Sequence, residues 1–132
     1  MMILDTSAVT ALADGHKTLN LLAGNMAKTP GERLNIPALC LTQAEAGEEN
    51  LAQRVLAFSS VVVDSLGTMA AVSVGTLIRD GYGGPDTCHA LYCALPRPEF
   101  TGMSILLTGN EEAYSPGVVT VDIDSSGMLS YH

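Results

Sequence analysis

A chain of 132 residues with 47% hydrophobic and 15% charged side chains can bury a sizeable core and reads as one globular domain rather than a disordered chain. Six basic residues against fourteen acidic ones give a net charge of −8, which argues against tight, non-specific binding of a phosphate backbone. No apolar run reaches bilayer-spanning length, no basic segment precedes an apolar one as in a signal peptide, and Cys40, Cys88 and Cys93 lack paired spacing, so the expected setting is the reducing cytoplasm.

Met2-Ile3-Leu4-Asp5 reads as a short apolar strand that stops at a carboxylate, followed by Thr6, Ser7 and a short helix to Ala13. Asp14-Gly15 interrupts it. A second helix is expected from Lys17 to about Met26, with Leu19, Leu22 and Met26 at helical spacing. Thr29-Pro30-Gly31-Glu32 is a turn cluster, and Leu34 to Leu39 is the second strand, with Pro37 at a sheet edge or strand end. Thr42 to about Phe58 reads as one long helix with a weak spot at Gly47. Val61-Val62-Val63-Asp64 has the β-branched composition of a strand buried on both faces. A helix from Thr68 to about Arg79 is broken by Gly81-Tyr82-Gly83-Gly84-Pro85. Asp86 then opens a helix to Leu95, stopped by Pro96-Arg97-Pro98. Ser104 to Thr108 is the fourth strand, Gly109-Asn110 turns out of it, and Glu111 to Tyr114 makes a helical turn. Val118 to Ile123 is the last strand, and Asp124-Ser125-Ser126-Gly127 begins a polar tail. Strands alternating with helices imply an α/β fold with a mostly parallel sheet covered on both faces.

The C-terminal ends of parallel strands and the starts of the helices that follow share one edge, where ligands gather. Asp5 ends the first strand, Glu45 falls in the first turn or so of the long helix, and Asn110 follows the fourth strand. These three can therefore meet in one crevice. Asp86 joins them if its helix starts at the same edge. Each residue also has a plainer role: Asp5 and Asp86 as helix caps, Glu45 as a solvated helix position, Asn110 as a turn residue. Asp64 and Asp80 read as solvated or capping, and His89 as a partly buried, hydrogen-bonded side chain. Cys88, His89 and Cys93 lie close together but lack the C-x₂-C pairs of a zinc site.

Four stretches resemble the PIN domains, in particular the small VapC-like ribonuclease toxins of bacterial toxin–antitoxin pairs. They are Ile3-Leu4-Asp5-Thr6-Ser7-Ala8; Ile36-Pro37-Ala38-Leu39 with Glu45; Asp86-Thr87-Cys88-His89-Ala90 with Cys93-Ala94; and Leu106-Leu107-Thr108-Gly109-Asn110 with Tyr114. Their order and spacing match the family over nearly the whole chain. The resemblance implies a three-layer α/β/α arrangement with four to five strands, and an acidic pocket holding Mg²⁺ or Mn²⁺. It implies metal-assisted hydrolysis of RNA, with Asp5, Glu45 and Asp86 as metal ligands and Asn110 completing the catalytic set. Thr6 and Ser7 would bond the phosphate, and Thr108 would help position water. An antitoxin partner is implied as well, and the apolar helices after Ala8 and Thr42 offer a homodimer face.

Two features depart from the family pattern. Asn110 stands where an acid is common. Lys17, Lys28, Arg33, Arg54, Arg79 and Arg97 are scattered, with no run that could track an RNA backbone. Both features favour the competing expectation, a catalytically weak or inactive PIN-like module that acts as a binding or regulatory partner.

Overall fold

The computed structural model describes residues 1–96, 102–126 and 128. Five strands form one sheet: β1 (Met2–Leu4), β2 (Leu34–Pro37), β3 (Val61–Asp64), β4 (Ile105–Thr108) and β5 (Thr120–Asp122). They lie in the order β3-β2-β1-β4-β5, and every pairing is parallel. The helices are α1 (Thr6–Ala13), α2 (Lys17–Ala27), α3 (Ala38–Gly47), α4 (Leu51–Leu56), α5 (Thr68–Arg79) and α6 (Pro85–Ala94). A 3-10 turn spans Glu111–Ala113.

The chain winds outward from β1 to β3, then returns past β1 to β4. Right-handed crossovers in the two directions send helices to both faces of the sheet. The reversal makes the gap between β1 and β4 a topological switch point, the place where such sheets leave a crevice beyond the strand ends. Around it the core is tight: Ile3, Leu4, Leu106 and Leu107 are fully buried, and Ala8, Val9 and Leu12 of α1 pack over them in the same cluster. Burying each such large side chain contributes about 1.5–3 kcal/mol. That burial holds the ends of β1 and β4 in fixed register, with Leu4 opposite Leu107.

Three sequence expectations change. The long helix from Thr42 to Phe58 is two helices, and the first begins at Ala38 directly after β2, with Pro37 as its N-cap residue. α3 ends at Gly47; Glu48 is extended, and Asn50 takes a left-handed conformation (φ +65°) that asparagine tolerates. Glu48 also pairs with Arg54 across the break at 2.9 Å. Second, β3 is an edge strand paired only with β2, and its Val62 and Val63 are partly exposed, so its run of valines marks strand propensity rather than burial. Third, β5 covers only Thr120–Asp122 of the expected Val118–Ile123. The bounds of α5 match expectation, and α6 stops at Ala94 because Leu95, preceding Pro96, turns extended. Arg97 and Pro98 of the expected helix stop, and Gly127 of the polar tail, lie outside the described residues.

Candidate functional site

Asp5 is where β1 hands over to α1. Its backbone is extended, its Oδ1 accepts the Ala8 N–H at 3.0 Å, and it therefore caps α1. The same oxygen accepts the Ser7 hydroxyl at 2.6 Å. The other oxygen, Oδ2, accepts the Thr108 hydroxyl at 2.6 Å and the Tyr114 phenol at 2.7 Å. A carboxylate offers about four lone-pair positions, and here four donors fill them. Only 5% of Asp5 is exposed, and this set of donors is what lets a buried charge persist there.

Asp86 arrives from the other direction. α6 starts with Gly84 as N-cap and Pro85 in its first turn, and no side chain caps it. The Asp86 carboxylate does not fold back on its own helix as a cap would. It accepts the Thr6 hydroxyl through Oδ2 at 2.6 Å, across 80 positions of sequence. The Cys40 thiol, in the first turn of α3, donates to the Asp86 carbonyl at 3.3 Å. The starts of α1, α3 and α6 thus meet beyond the sheet, and Asp5 and Asp86 share one network through adjacent residues of α1. Ser7 also accepts the Gly109 N–H at 2.8 Å, and Asn110 donates its backbone N–H to Thr108 Oγ1 at 2.9 Å. Asn110 is exposed and reaches the cluster through its backbone. A Cβ at Gly109 would stand 3.4 Å from the Ser7 hydroxyl, in ordinary contact with it.

The electrostatics follow from this packing. Burial pushes the Cys40 thiol well above the usual thiol range; the Asp5 and Asp86 charges push the same way, against the Thr6 hydrogen bond. The Tyr114 phenol is likewise held far above its ordinary value by burial, then by the charge of Asp5 and the hydrogen bond to it. Both groups stay protonated at neutral pH, so both act as donors or fillers and neither as a base.

Glu45 lies elsewhere. Because α3 begins at Ala38, Glu45 sits two turns in, not in the first turn. At 3.6 residues per turn it points about 140° around the helix from Cys40, which faces the cluster. Its Oε1 accepts the Ala52 N–H at 2.8 Å and its Oε2 the Asn50 N–H at 3.0 Å. Asn50 supplies no side-chain cap, and the Glu45 carboxylate takes that role for α4. Of the seven side chains singled out from sequence, the structure gathers Asp5, Thr6, Ser7, Asp86 and Thr108. It brings Asn110 alongside, and places Glu45 at α4.

Cys40 is a member of the cluster to which sequence reasoning gave no part, and Tyr114 entered there as the aromatic beyond the fourth stretch, without a role. For Tyr114 the signal was present, an aromatic four residues after the Asn110 turn; a buried cysteine in a helix carries none. Among the described residues, no three His, Cys, Asp or Glu side chains converge into a metal cluster, as expected once Glu45 is turned away. The donor set is two carboxylates ringed by hydroxyls. That chemistry fits Mg²⁺ or Mn²⁺, hard cations that take one or two carboxylates and complete their shell with water and phosphate. It does not make a closed cage.

No family model matches the sequence, and no curated protein matches it. Among solved structures, a chain of the DNA-bound VapBC complex from Salmonella typhimurium superposes with a TM-score of 0.61. The two are 20% identical, and the match covers 92% of this chain and 97% of that one. Such a likeness speaks for the fold: an all-parallel five-stranded sheet with six helices, as in a PIN domain.

Proposed function

We propose that the chain is a metal-dependent endoribonuclease of the PIN toxin type, with Asp5 and Asp86 as the two carboxylates that hold the cation. The observation that carries this reading is the Thr6–Asp86 hydrogen bond. The residue next to Asp5 in the chain holds the Asp86 carboxylate, which brings the acid opening α6 to the end of β1 at the switch point of a parallel sheet. A cation bound there would supply charge neutralisation and acidify a water at the scissile phosphate. The chain's own residues do the rest. Asp5 is oriented by burial and by its donors, and it would free an oxygen for the cation as a hydroxyl turns away. Thr6 holds Asp86 in place, and Ser7 and Thr108 carry hydroxyls able to turn from Asp5 toward a phosphate oxygen. Asn110 lies at the open rim, where it would contact the leaving strand.

The neighbouring VapBC complex supports a protein partner of antitoxin type for this chain too. An arginine entering between Asp5 and Asp86 would pair with both and exclude the cation. A second reading, a PIN-like module that binds without cutting, is favoured by one observation: Glu45 is committed to α4, which leaves two acids rather than three.

Asp86→Asn separates the two readings. Asp86 is half-buried and its carboxylate accepts the Thr6 hydroxyl, a bond an amide oxygen can also accept, so the variant keeps its fold by circular dichroism. On the first reading it loses Mn²⁺ binding by calorimetry and RNA cleavage together, by 10²-fold or more. Asp5→Asn is a poorer probe because Asp5 also caps α1 and anchors Thr108 and Tyr114. Absence of both Mn²⁺ binding and cleavage in the folded wild type would leave the binding module.

A further inference from the structure

Asp5 is so fully occupied that nothing can join it until something leaves. Four donors surround it: the Ala8 N–H and the Ser7 hydroxyl on Oδ1, the Thr108 hydroxyl and the Tyr114 phenol on Oδ2. A carboxylate has about four lone-pair positions, so a cation reaching Asp5 must take the place of one of these donors. The four are not equally free to yield.

The Ala8 N–H is main chain within α1, and losing it would uncap the helix. The Ser7 oxygen is held from behind by the Gly109 N–H at 2.8 Å, and the Thr108 oxygen by the Asn110 N–H at 2.9 Å. Either hydroxyl can swing its proton, but its oxygen then stays 2.6 Å from the carboxylate and clears no space. Thr108 is, moreover, fully buried at the end of β4. Tyr114 differs on each count. The bond to Asp5 at 2.7 Å is the one hydrogen bond its phenol makes among the described residues. Its ring packs at the margin of the core and is partly exposed. It stands between the exposed 3-10 turn Glu111–Ala113 and the exposed pair Pro116 and Gly117. Conjugation keeps the phenol proton in the plane of the ring, so Tyr114 gives up Oδ2 by moving its ring.

We infer that Tyr114 is the gate of the acidic site: its phenol fills the position on Asp5 Oδ2 that a cation takes, and its withdrawal opens that position. The inference rests on Asp5 being a metal ligand, as proposed above. Tyr114 acts through Asp5 and is a positioning residue, not a catalytic one. Closed, it gives a donor to a carboxylate that is only 5% exposed, which offsets the cost of keeping that charge buried with no cation beside it. Open, it leaves β1, α1 and β4 where they are, because none of the bonds that fix Ser7, Ala8 and Thr108 passes through it.

The test is Tyr114→Phe in the full chain, which keeps the ring and its core contact and removes only the oxygen. Calorimetry should show Mn²⁺ binding about tenfold tighter than in wild type, because a hydrogen bond to a charged acceptor no longer has to be broken first. In EDTA the same variant should melt earlier, since Asp5 has lost a donor, and saturating Mn²⁺ should close that gap. A residue that merely supported the fold would lower Tm in both conditions and leave the affinity unchanged or weaker. In the wild type, the Tyr114 ring resonances should shift as Mg²⁺ is added, with the midpoint calorimetry gives for Mg²⁺; this readout does not depend on a variant folding. Unchanged or weaker Mn²⁺ binding in Tyr114→Phe would overturn the gate and leave the cation site standing. So would a Tyr114 ring that stays unmoved at saturating Mg²⁺. Absence of binding in both folded proteins would overturn the cation site itself, and the gate with it.

Discussion

Glu45 is the residue on which the sequence and the structure give the most different accounts, and Glu45→Ala decides between them. Two charge-assisted hydrogen bonds, at 2.8 and 3.0 Å, tie its carboxylate to the first N–H groups of α4. Asn50, the N-cap residue, makes no side-chain cap bond of its own. Removing a capping oxygen costs about 0.5–2 kcal/mol. Two bonds to a charged acceptor argue for the upper half of that range, and partial exposure keeps it from going higher, because water can satisfy the freed N–H groups. The expected loss is about 1–2 kcal/mol, which for a domain of this size lowers Tm by about 3–8 °C. The assay is thermal unfolding in EDTA, paired with Mn²⁺ calorimetry and hydrogen exchange. Glu45→Ala should melt earlier without metal, the amides of Asn50 and Ala52 should exchange faster, and Mn²⁺ affinity should stay within twofold of wild type. A variant with unchanged Tm in EDTA and a tenfold loss of Mn²⁺ affinity would refute the assignment and return Glu45 to the metal.

Gln43 is an exposed residue of α3, three positions after Cys40 and so about 60° around the helix from it; Gln43→Glu should raise Mn²⁺ affinity about tenfold in the same calorimetry, and an unchanged isotherm would show that this face stops short of the cation. Burial holds the His89 pKa below its ordinary 6.5, only partly offset by the Asp64 charge. The unfolded chain therefore takes up a proton below pH 6.5 that the native state refuses. The His89 contribution to stability is full above that pH and declines as pH falls below it. The drop in urea midpoint between pH 7 and pH 5 should accordingly be smaller in His89→Gln than in wild type, and identical drops would contradict the account. Cys40 is fully buried with its thiol pushed far up, so a maleimide at pH 8 should modify it only at the rate of global unfolding, read by mass spectrometry of the Cys40 peptide.

Much of the fold was legible because its punctuation is chemical. The glycines at 81 and 83 close off α5, Pro85 suits the first turn of α6, and Pro96 stops it, and so the bounds of α5 and α6 could be read to within a residue. Asp5 was legible twice over, as cap and as strand-end acid, and the structure shows why the two readings never competed: Oδ1 serves α1, and Oδ2 faces Thr108 and Tyr114. What failed was phase. Starting the third helix at Thr42 rather than Ala38 put Glu45 near the crevice on paper. The true start rotates it away, and a break at Glu48–Asn50, unmarked by any proline, gives its carboxylate something to cap. The valines of β3 misled for a related reason, since residue type records preference for an extended backbone while position in the sheet decides burial. No spacing rule could have linked Thr6 to Asp86, because that contact depends on how β3 returns across the sheet to β4.

The charge of −8 and the two-acid site belong to one argument. A saturated Asp5 must give up hydroxyl donors before it can touch a cation, and the scattered cations offer little to hold RNA by charge alone. On the proposed reading, metal and RNA would therefore lower each other's cost: a cation would screen Asp5 and Asp86 from the phosphate, and the phosphate would supply the ligands that a missing third carboxylate does not. Such mutual assistance is a coupling free energy and is reciprocal. If Asp5 and Asp86 are the ligands, a non-cleavable RNA analogue should tighten Mn²⁺ binding by the same factor that Mn²⁺ tightens the analogue, and Asp86→Asn should abolish both gains. A protein whose metal and RNA affinities are independent of one another would not be using this pair of carboxylates for phosphodiester chemistry.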